Sequence, residues 1–330
     1  MSNQDQIERV DTLNRRGRGC FLWMSRIVVF FLGLMLLGAI YESVAETADM
    51  RAYPPPGQMV DVGGYRLHIH CTGTGSPTVV IDAGWGGWSA NWSWVQSEVA
   101  KTTRVCTYDR AGMGYSEAGP LPRNAEQFAR ELHSLLHQAN TPGLYVLVGH
   151  SLGGLPVRVF AHEFAAEVAG VVLIDSMSPA QFPQSPTDTE PQAASQSHGF
   201  SIPVVLARIG LVRLFPGALG PTPALPPEVQ KAYTAFSVTP RSIQAWEAEG
   251  AGMPESGAQA RAVKSFGDLP LIVLSRGLDQ QPGWQAMQAE LLQLSSNSQQ
   301  LIADKSGHNI EIDQPEAAVA AIVKMVGQLR

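Results

Sequence analysis

The chain has 330 residues, of which 45% are apolar and 16% charged, and its formal net charge is −6. This composition is low in charge for a soluble protein and agrees with a globular domain behind a membrane segment, and the acidic balance leaves no basic field for nucleic acid, for which no motif is present either. The length allows one large domain or two small ones.

Charge is unevenly placed near the start. Arg15, Arg16, Arg18 and Arg26 precede or enter an apolar stretch at residues 20–41. Residues 27–40 carry no charge, and with residues 21–23 the stretch reaches the roughly 20 residues needed to span a bilayer. Arg26 lies near its beginning, where a long side chain can snorkel to the headgroups. Glu42, Glu46 and Asp49 follow. This asymmetry predicts a signal anchor, with residues 1–19 as a cytoplasmic tail and everything after residue 41 outside the cytoplasm, periplasmic or extracellular. The alternative is a signal peptide cleaved near Ser43-Val44-Ala45, giving a secreted protein.

Residues 42–57 read as a linker, stiffened at 51–57 by three consecutive prolines. Residues 59–62 and 65–71 read as a hairpin turned at Gly63-Gly64. A buried strand at 78–82 leads into a Trp/Gly loop, followed by a helix at 92–101 and a strand at 103–108. Residues 124–138 place Phe128, Leu132, Leu135 and Leu136 at helical spacing. The apolar run 144–148 then enters Gly149-His150-Ser151-Leu152-Gly153-Gly154, and a helix is predicted over 157–164. Further strands are predicted at 170–175, 269–275 and 299–303, and helices at 283–294 and 315–329. Asp313 and Glu316 resemble a capping box for the last helix, with Pro315 in its first turn. Strands alternating with helices predict an α/β domain over residues 58–330, built on a mostly parallel eight-stranded sheet covered on both faces. The alternation fails over about 176–268. There, residues 181–198 are rich in Pro, Ser, Gln and Thr and read as loop or disorder. Residues 201–215 are apolar and helix-compatible, 221–227 break the helix, and 228–246 allow more helix. Ile202, Val204, Val205, Leu206, Ile209, Leu211 and Leu214 would line an acyl pocket, touch the membrane, or form the core of this insertion.

A strand, a glycine turn and a helix around Ser151 would present its hydroxyl at a strained apex, where it can attack a carbonyl. Glycines are needed there because the turn leaves no room for Cβ atoms. The alternative is an ordinary Gly/Ser connection without chemistry. Three more motifs stand in order with this one. They are Val79 to Gly87, the loop Tyr108-Asp109-Arg110-Ala111-Gly112-Met113-Gly114-Tyr115-Ser116, and Ser306-Gly307-His308 followed by Asp313-Gln314-Pro315-Glu316. From about Gln58 to Arg330 the chain therefore resembles the α/β-hydrolase superfamily. The four segments match its oxyanion loop, its D-R-x-G-x-G-x-S loop, its nucleophile elbow, and its catalytic-histidine loop with the start of the last helix. The chain departs from the pattern at Asp82-Ala83-Gly84, where many relatives carry His-Gly. Backbone N–H groups do the work in an oxyanion hole, so the change need not abolish activity.

The resemblance implies the α/β-hydrolase fold with a helical cap over Ser151 at about 176–268. It also implies a serine hydrolase that cleaves an ester or related acyl bond through an acyl-enzyme on Ser151. His308 would be the base, with the N–H groups of Trp85 and Leu152 as the oxyanion hole. Two aspartates compete for the acid: Asp175 at the end of the sixth strand, taken first, and Asp279 after the seventh. Asp109, Arg110 and Ser116 would brace the loop under the oxyanion hole, and His150 would pack or hydrogen-bond. Cys71 and Cys106 fall on neighbouring strands of such a sheet, so a disulfide suited to an oxidising exterior and a pair of free buried thiols both stand open. No cofactor is expected and no metal, since the histidines and cysteines do not cluster at ligand spacing. The expected partners are a small-molecule or lipid-like acyl substrate and, through the N-terminal helix, a membrane. An acyltransferase or an amidase or aminopeptidase would use the same residues, and a catalytically silent binding protein is the alternative of another class. A serine at the elbow argues against epoxide-hydrolase or dehalogenase chemistry, which needs a carboxylate nucleophile.

Overall fold

A computed structural model of the chain describes residues 3–141, 143–182, 201–220 and 222–330. Most of the predicted loop at 181–198 lies outside the described residues. The first helix, α1 (Asn3–Ala52), includes one segment, Phe21–Ala52, that is long and apolar enough to cross a membrane and is almost unburied. It continues beyond the apolar stretch at 20–41, through most of the predicted linker. Hydropathy falls at Glu42, but residues 42–52 include three alanines, good helix formers, and nothing breaks the helix before the prolines at 54–56.

The sheet comprises β1 (Gln58–Asp61), β2 (Arg66–Thr72), β3 (Thr78–Asp82), β4 (Val105–Tyr108), β5 (Tyr145–His150), β6 (Val168–Ile174), β7 (Leu271–Arg276) and β8 (Ser298–Ala303), in the order β1-β2-β4-β3-β5-β6-β7-β8. β1 and β2 form the predicted hairpin, β2 runs antiparallel to β4, and the remaining pairs are parallel. The central strands β3, β5 and β7 are buried at every residue, which is why each reads as an apolar run, with polar Asp82, His150 and Arg276 at the carboxyl ends.

Helices cover both faces of the sheet. They are α2 (Ser93–Val99), α3 (Ala125–Gln138) and α4 (Gly154–Glu163), then in the cap α5 (Ile202–Arg208), α6 (Leu211–Leu214), α7 (Pro227–Ser237) and α8 (Pro240–Ala262), and finally α9 (Trp284–Leu291), α10 (Ile310–Asp313) and α11 (Pro315–Gln328). Successive strand residues point to opposite faces, so β5 supplies both cores. Its Leu147 packs with Phe128 and Leu132 of α3 and Phe160 of α4, while Val146 and Val148 pack with Val95 of α2 and Ile322 of α11. Asn124 caps α3 by accepting from the Gln127 N–H.

Three local expectations are corrected. The helix after Ser151 starts at Gly154, not at residue 157, directly from the turn. The Asp313/Glu316 capping box does not form: Asp313 ends the separate turn α10, and Gln314 stands at the N-cap with its Oε1 accepting from the Lys305 N–H. The apolar run 201–215 is two helices, because Gly210 between them takes φ 76°, a left-handed conformation that ends α5. Of the two states left open for Cys71 and Cys106, the structure shows the disulfide, between residues directly opposite across β2 and β4.

Candidate functional site

Ser151 follows β5 directly, with φ 51°, a strained backbone for a residue bearing a Cβ. The turn is as tight as its glycines suggest. A Cβ on Gly149 would lie 2.7 Å from the Gly153 carbonyl oxygen, and one on Gly153 would lie 2.5 Å from that of Asp82. At the end of β6, Asp175 is fully buried with φ 38°. His308 comes from the loop between β8 and α10, its side chain 38% exposed.

These three residues form a continuous hydrogen-bonded chain. His308 Nδ1–H donates to Asp175 Oδ2 at 2.6 Å, and the Ser151 hydroxyl donates to His308 Nε2 at 2.9 Å. The carboxylate sets this tautomer, since its oxygens can only accept. Asp175 is held from its other side too: Oδ1 accepts from the Trp284 indole N–H at 2.8 Å and from the Arg276 backbone N–H at 3.1 Å. Trp284 and Arg276 carry no sequence motif, and only the fold shows their part. Asp279 is exposed at φ 51°, near Gly307, and makes no hydrogen bond to His308 among the described residues.

Trp85 sits in the turn after β3, and its backbone N–H has no partner among the described residues. Leu152 is second in the short turn that opens α4, where a backbone N–H lacks an intrahelical acceptor. Both donors therefore remain available beside Ser151. The Trp85 ring stacks on Trp246 of α8 at 4.7 Å, and its indole donates to the Trp246 carbonyl at 2.8 Å.

Under this loop lies Arg110, nearly all buried. It donates to Asp82 Oδ1 at 2.6 Å, to the carbonyls of Ala83 (2.7 Å) and Gly84 (2.6 Å), and to both oxygens of Glu249 on α8 (2.6 and 3.0 Å). Glu249 in turn accepts from the Gly86 N–H. Burial works against the guanidinium charge, but Glu249 and Asp82 outweigh it and its pKa stands raised. Burial pushes the Asp82 carboxyl up to about 6, against the pull of Arg110. The aspartate that departs from the family pattern is thus part of the brace. Asp109 accepts from the Ser89 and Tyr115 N–H groups and from His68, and the Ser116 hydroxyl donates to the Asp109 carbonyl, so both hold the loop after β4.

His150 Nε2–H donates to the His308 carbonyl at 2.9 Å, fastening the histidine loop to the elbow. Its Nδ1 faces Glu311 Oε1 at 3.6 Å. Burial, and then the neighbouring His308, push the His150 pKa down to about 3, while burial pushes Glu311 up to about 8. Glu311 is therefore mostly protonated near neutrality. A carboxyl whose folded pKa exceeds the ordinary 4.5 contributes most to stability below about pH 4.5 and loses that contribution as pH rises through about 8. Glu311→Gln should remove this loss, so Tm of the variant relative to wild type should rise between pH 6 and 9 in thermal melts. A Tm difference flat with pH would mean that Glu311 is ionised throughout.

One histidine pair departs from the expectation that no residues gather at ligand spacing. His133 and His137, one turn apart on α3, meet Glu167, and the three ligand atoms lie within 4.8 Å of one another. Glu167 precedes β6, so the cluster lies at the opposite end of the sheet from Ser151, about 20 Å away at strand rise. It plays no part in the arrangement around the serine.

A family model described as "alpha/beta hydrolase fold" matches residues 77–315, and the chain belongs to that family. Among curated relatives, YqjL of Bacillus subtilis, itself uncharacterised, is 26% identical over 79% of this chain and 88% of its own length. A probable transporter, efuK of Hormonema carpetanum, is 32% identical over 41% of this chain, but the match spans only 20% of that longer protein. Among solved structures, an esterase from Thermogutta terrifontis superposes with a TM-score of 0.61 at 23% identity, covering 82% of this chain and 98% of the esterase. The epoxide hydrolase CorEH gives 0.59 at 20% identity, covering 83% and 99%. Likeness at this level of identity speaks for the fold alone.

Proposed function

We propose that the protein is a serine hydrolase that cleaves an ester or related acyl bond, held to a membrane by α1 with its hydrolase domain outside the cytoplasm. The observation that carries the chemistry is the unbroken chain Asp175–His308–Ser151. His308 Nε2 takes the Ser151 proton as Oγ attacks the substrate carbonyl, and the N–H groups of Trp85 and Leu152 receive the developing oxyanion. Protonated His308 then passes its proton to the leaving group. Water, deprotonated by His308, attacks the acyl-enzyme, and collapse returns the proton to Ser151. Asp175 stabilises the imidazolium in both halves. The hydroxyl at residue 151 favours this route over the epoxide-opening chemistry of CorEH's name, which calls for a carboxylate there. The arginines before the apolar run, the acidic residues after it and the Cys71–Cys106 bond all favour an extracytoplasmic domain.

A fluorophosphonate probe reacts with an activated serine. The full-length protein in detergent should be labelled at Ser151, and Ser151→Ala should abolish labelling without lowering Tm. Failure of folded wild-type protein to label would sink the acyl-transfer reading.

A further inference from the structure

The cap does not only cover the domain; it is seated on α1. The Ile209 carbonyl oxygen packs so closely on Gly38 that a Cβ there would lie 2.3 Å from it, and a Cβ on Gly210 would lie 2.8 Å from the Tyr41 ring. Arg213 of α6 fixes the register. Its Nε and Nη2 donate to the two oxygens of Glu42, at 2.8 Å each, and its Nη1 donates to Asp49. Glu42 is buried by this contact.

The level of the contact is informative. At 1.5 Å per residue, Gly38 stands about 26 Å along the helix from Phe21, inside the roughly 30 Å hydrocarbon thickness of a bilayer that begins at Phe21. Tyr41 and Glu42 then stand where the hydrocarbon ends and the headgroups begin, and the cap residues that touch Gly38 and Tyr41 share that level.

The same cap segment has two faces. Val204, Ala207 and Val212 are buried with Val238 and Ile243 in the core of the cap. Its other side leaves Ile202 (62% exposed), Leu206, Leu211, Leu214 (57%) and Phe215 (66%) uncovered. An apolar surface of this kind marks a site of protein or membrane contact, and its continuity with an apolar helix at the bilayer boundary selects the membrane.

Resting on the reading of α1 as an anchor and Ser151 as a nucleophile, we propose that this outer face of the cap docks into the surface of the bilayer that α1 spans, and that the substrates are acyl lipids taken up from that bilayer. The cap connects this face to the site. On α8, Ile243 belongs to the cap core, Trp246 stacks on Trp85, and Glu249 holds Arg110 and the Gly86 N–H. A cap settled in the interface therefore bears directly on the loop beside Ser151.

The test uses the full-length protein in phosphatidylcholine vesicles containing a phospholipid with an acyl-chain diazirine. After irradiation, adducts should map to residues 21–41 and also to 202–215. In Leu214→Glu with Phe215→Asp, two exposed positions that leave the fold intact, adducts at 202–215 and hydrolysis of a long-chain ester embedded in the vesicle should both fall about tenfold or more, as expected when buried apolar area sets interfacial binding. Adducts at 21–41 and hydrolysis of a water-soluble butyrate ester should not change. Wild-type adducts confined to 21–41 would overturn the docking while leaving anchor and hydrolase standing, and adducts in neither segment would overturn the anchor with it. Equal losses on both esters would overturn uptake from the bilayer. If neither ester is hydrolysed by wild type, the catalytic reading fails instead, and uptake fails with it.

Discussion

Asp175→Asn is expected to lower kcat about 10⁴-fold, whereas Asp279→Asn should change it little. The size of the first effect follows from how Asp175 is held. Its Oδ1 accepts from the Trp284 indole and the Arg276 N–H. In the asparagine variant those two donors claim the amide oxygen, so the amide NH2 falls where Oδ2 now meets His308 Nδ1. A donor there forces Nδ1 to accept, which moves the ring proton to Nε2. His308 then offers an N–H to the Ser151 hydroxyl and can no longer take its proton. The loss amounts to about 5 kcal/mol of transition-state stabilisation, at 1.36 kcal/mol per factor of ten. Because Asn is nearly isosteric and keeps two hydrogen bonds, Tm should move little, separating lost chemistry from lost fold. Asp279 is exposed and holds nothing in the chain to Ser151. Steady-state kinetics of both variants on one ester decide the matter; the reverse pattern would move the acid to Asp279.

What could be read in advance follows from where the controlling interactions lie. β3 is predicted and found at residues 78–82, because a strand buried on both faces has an apolar run, here Val79-Val80-Ile81, at its centre and turn residues bound it. The surroundings of Ser151 were equally legible: the steric demand of the elbow falls on glycines adjacent in sequence. The choice between two aspartates was not legible, since both follow strands and the deciding partners, Trp284 and Arg276, come from elsewhere in the chain. The apolar stretch at 20–41 marks no helix end, because hydropathy reports the thickness of a bilayer and not the persistence of a backbone, which here runs on to Ala52. The break at Gly210 comes from the glycine's own left-handed conformation, φ 76°, which apolar periodicity within residues 201–215 does not register. His133 and His137 did show helical ligand spacing, one turn apart; their companion Glu167 comes from beyond α4 and is gathered only by the fold.

Arg110→Met should destabilise the protein by about 3–5 kcal/mol, the usual cost of breaking a buried ion pair from one side. The methionine fills similar space, so the loss comes from what it leaves behind. Asp82 and Glu249 would remain buried as carboxylates without their shared cation, and the carbonyls of Ala83 and Gly84 would lose their donors. A drop in Tm of roughly 10 °C is expected for a domain of this size. Arg110→Lys should recover only part of it, because a single ammonium cannot reach acceptors on both sides that a planar guanidinium spans. The pH dependence identifies the cause. With Arg110 gone, burial acts on Asp82 without its main opposing charge, so its pKa should climb further above about 6. A carboxyl with a raised folded pKa is stabilised while protonated and destabilised as pH rises through that pKa. The deficit of Arg110→Met against wild type should accordingly be larger at pH 8 than at pH 5, and adding Glu249→Gln should return part of the loss by removing one orphaned charge. Activity should fall together with stability, since the same guanidinium holds the Ala83 and Gly84 carbonyls and, through Glu249, the Gly86 N–H on either side of the Trp85 donor. A variant with an unchanged Tm would show that the loop holding Trp85 is braced by something other than this buried pair.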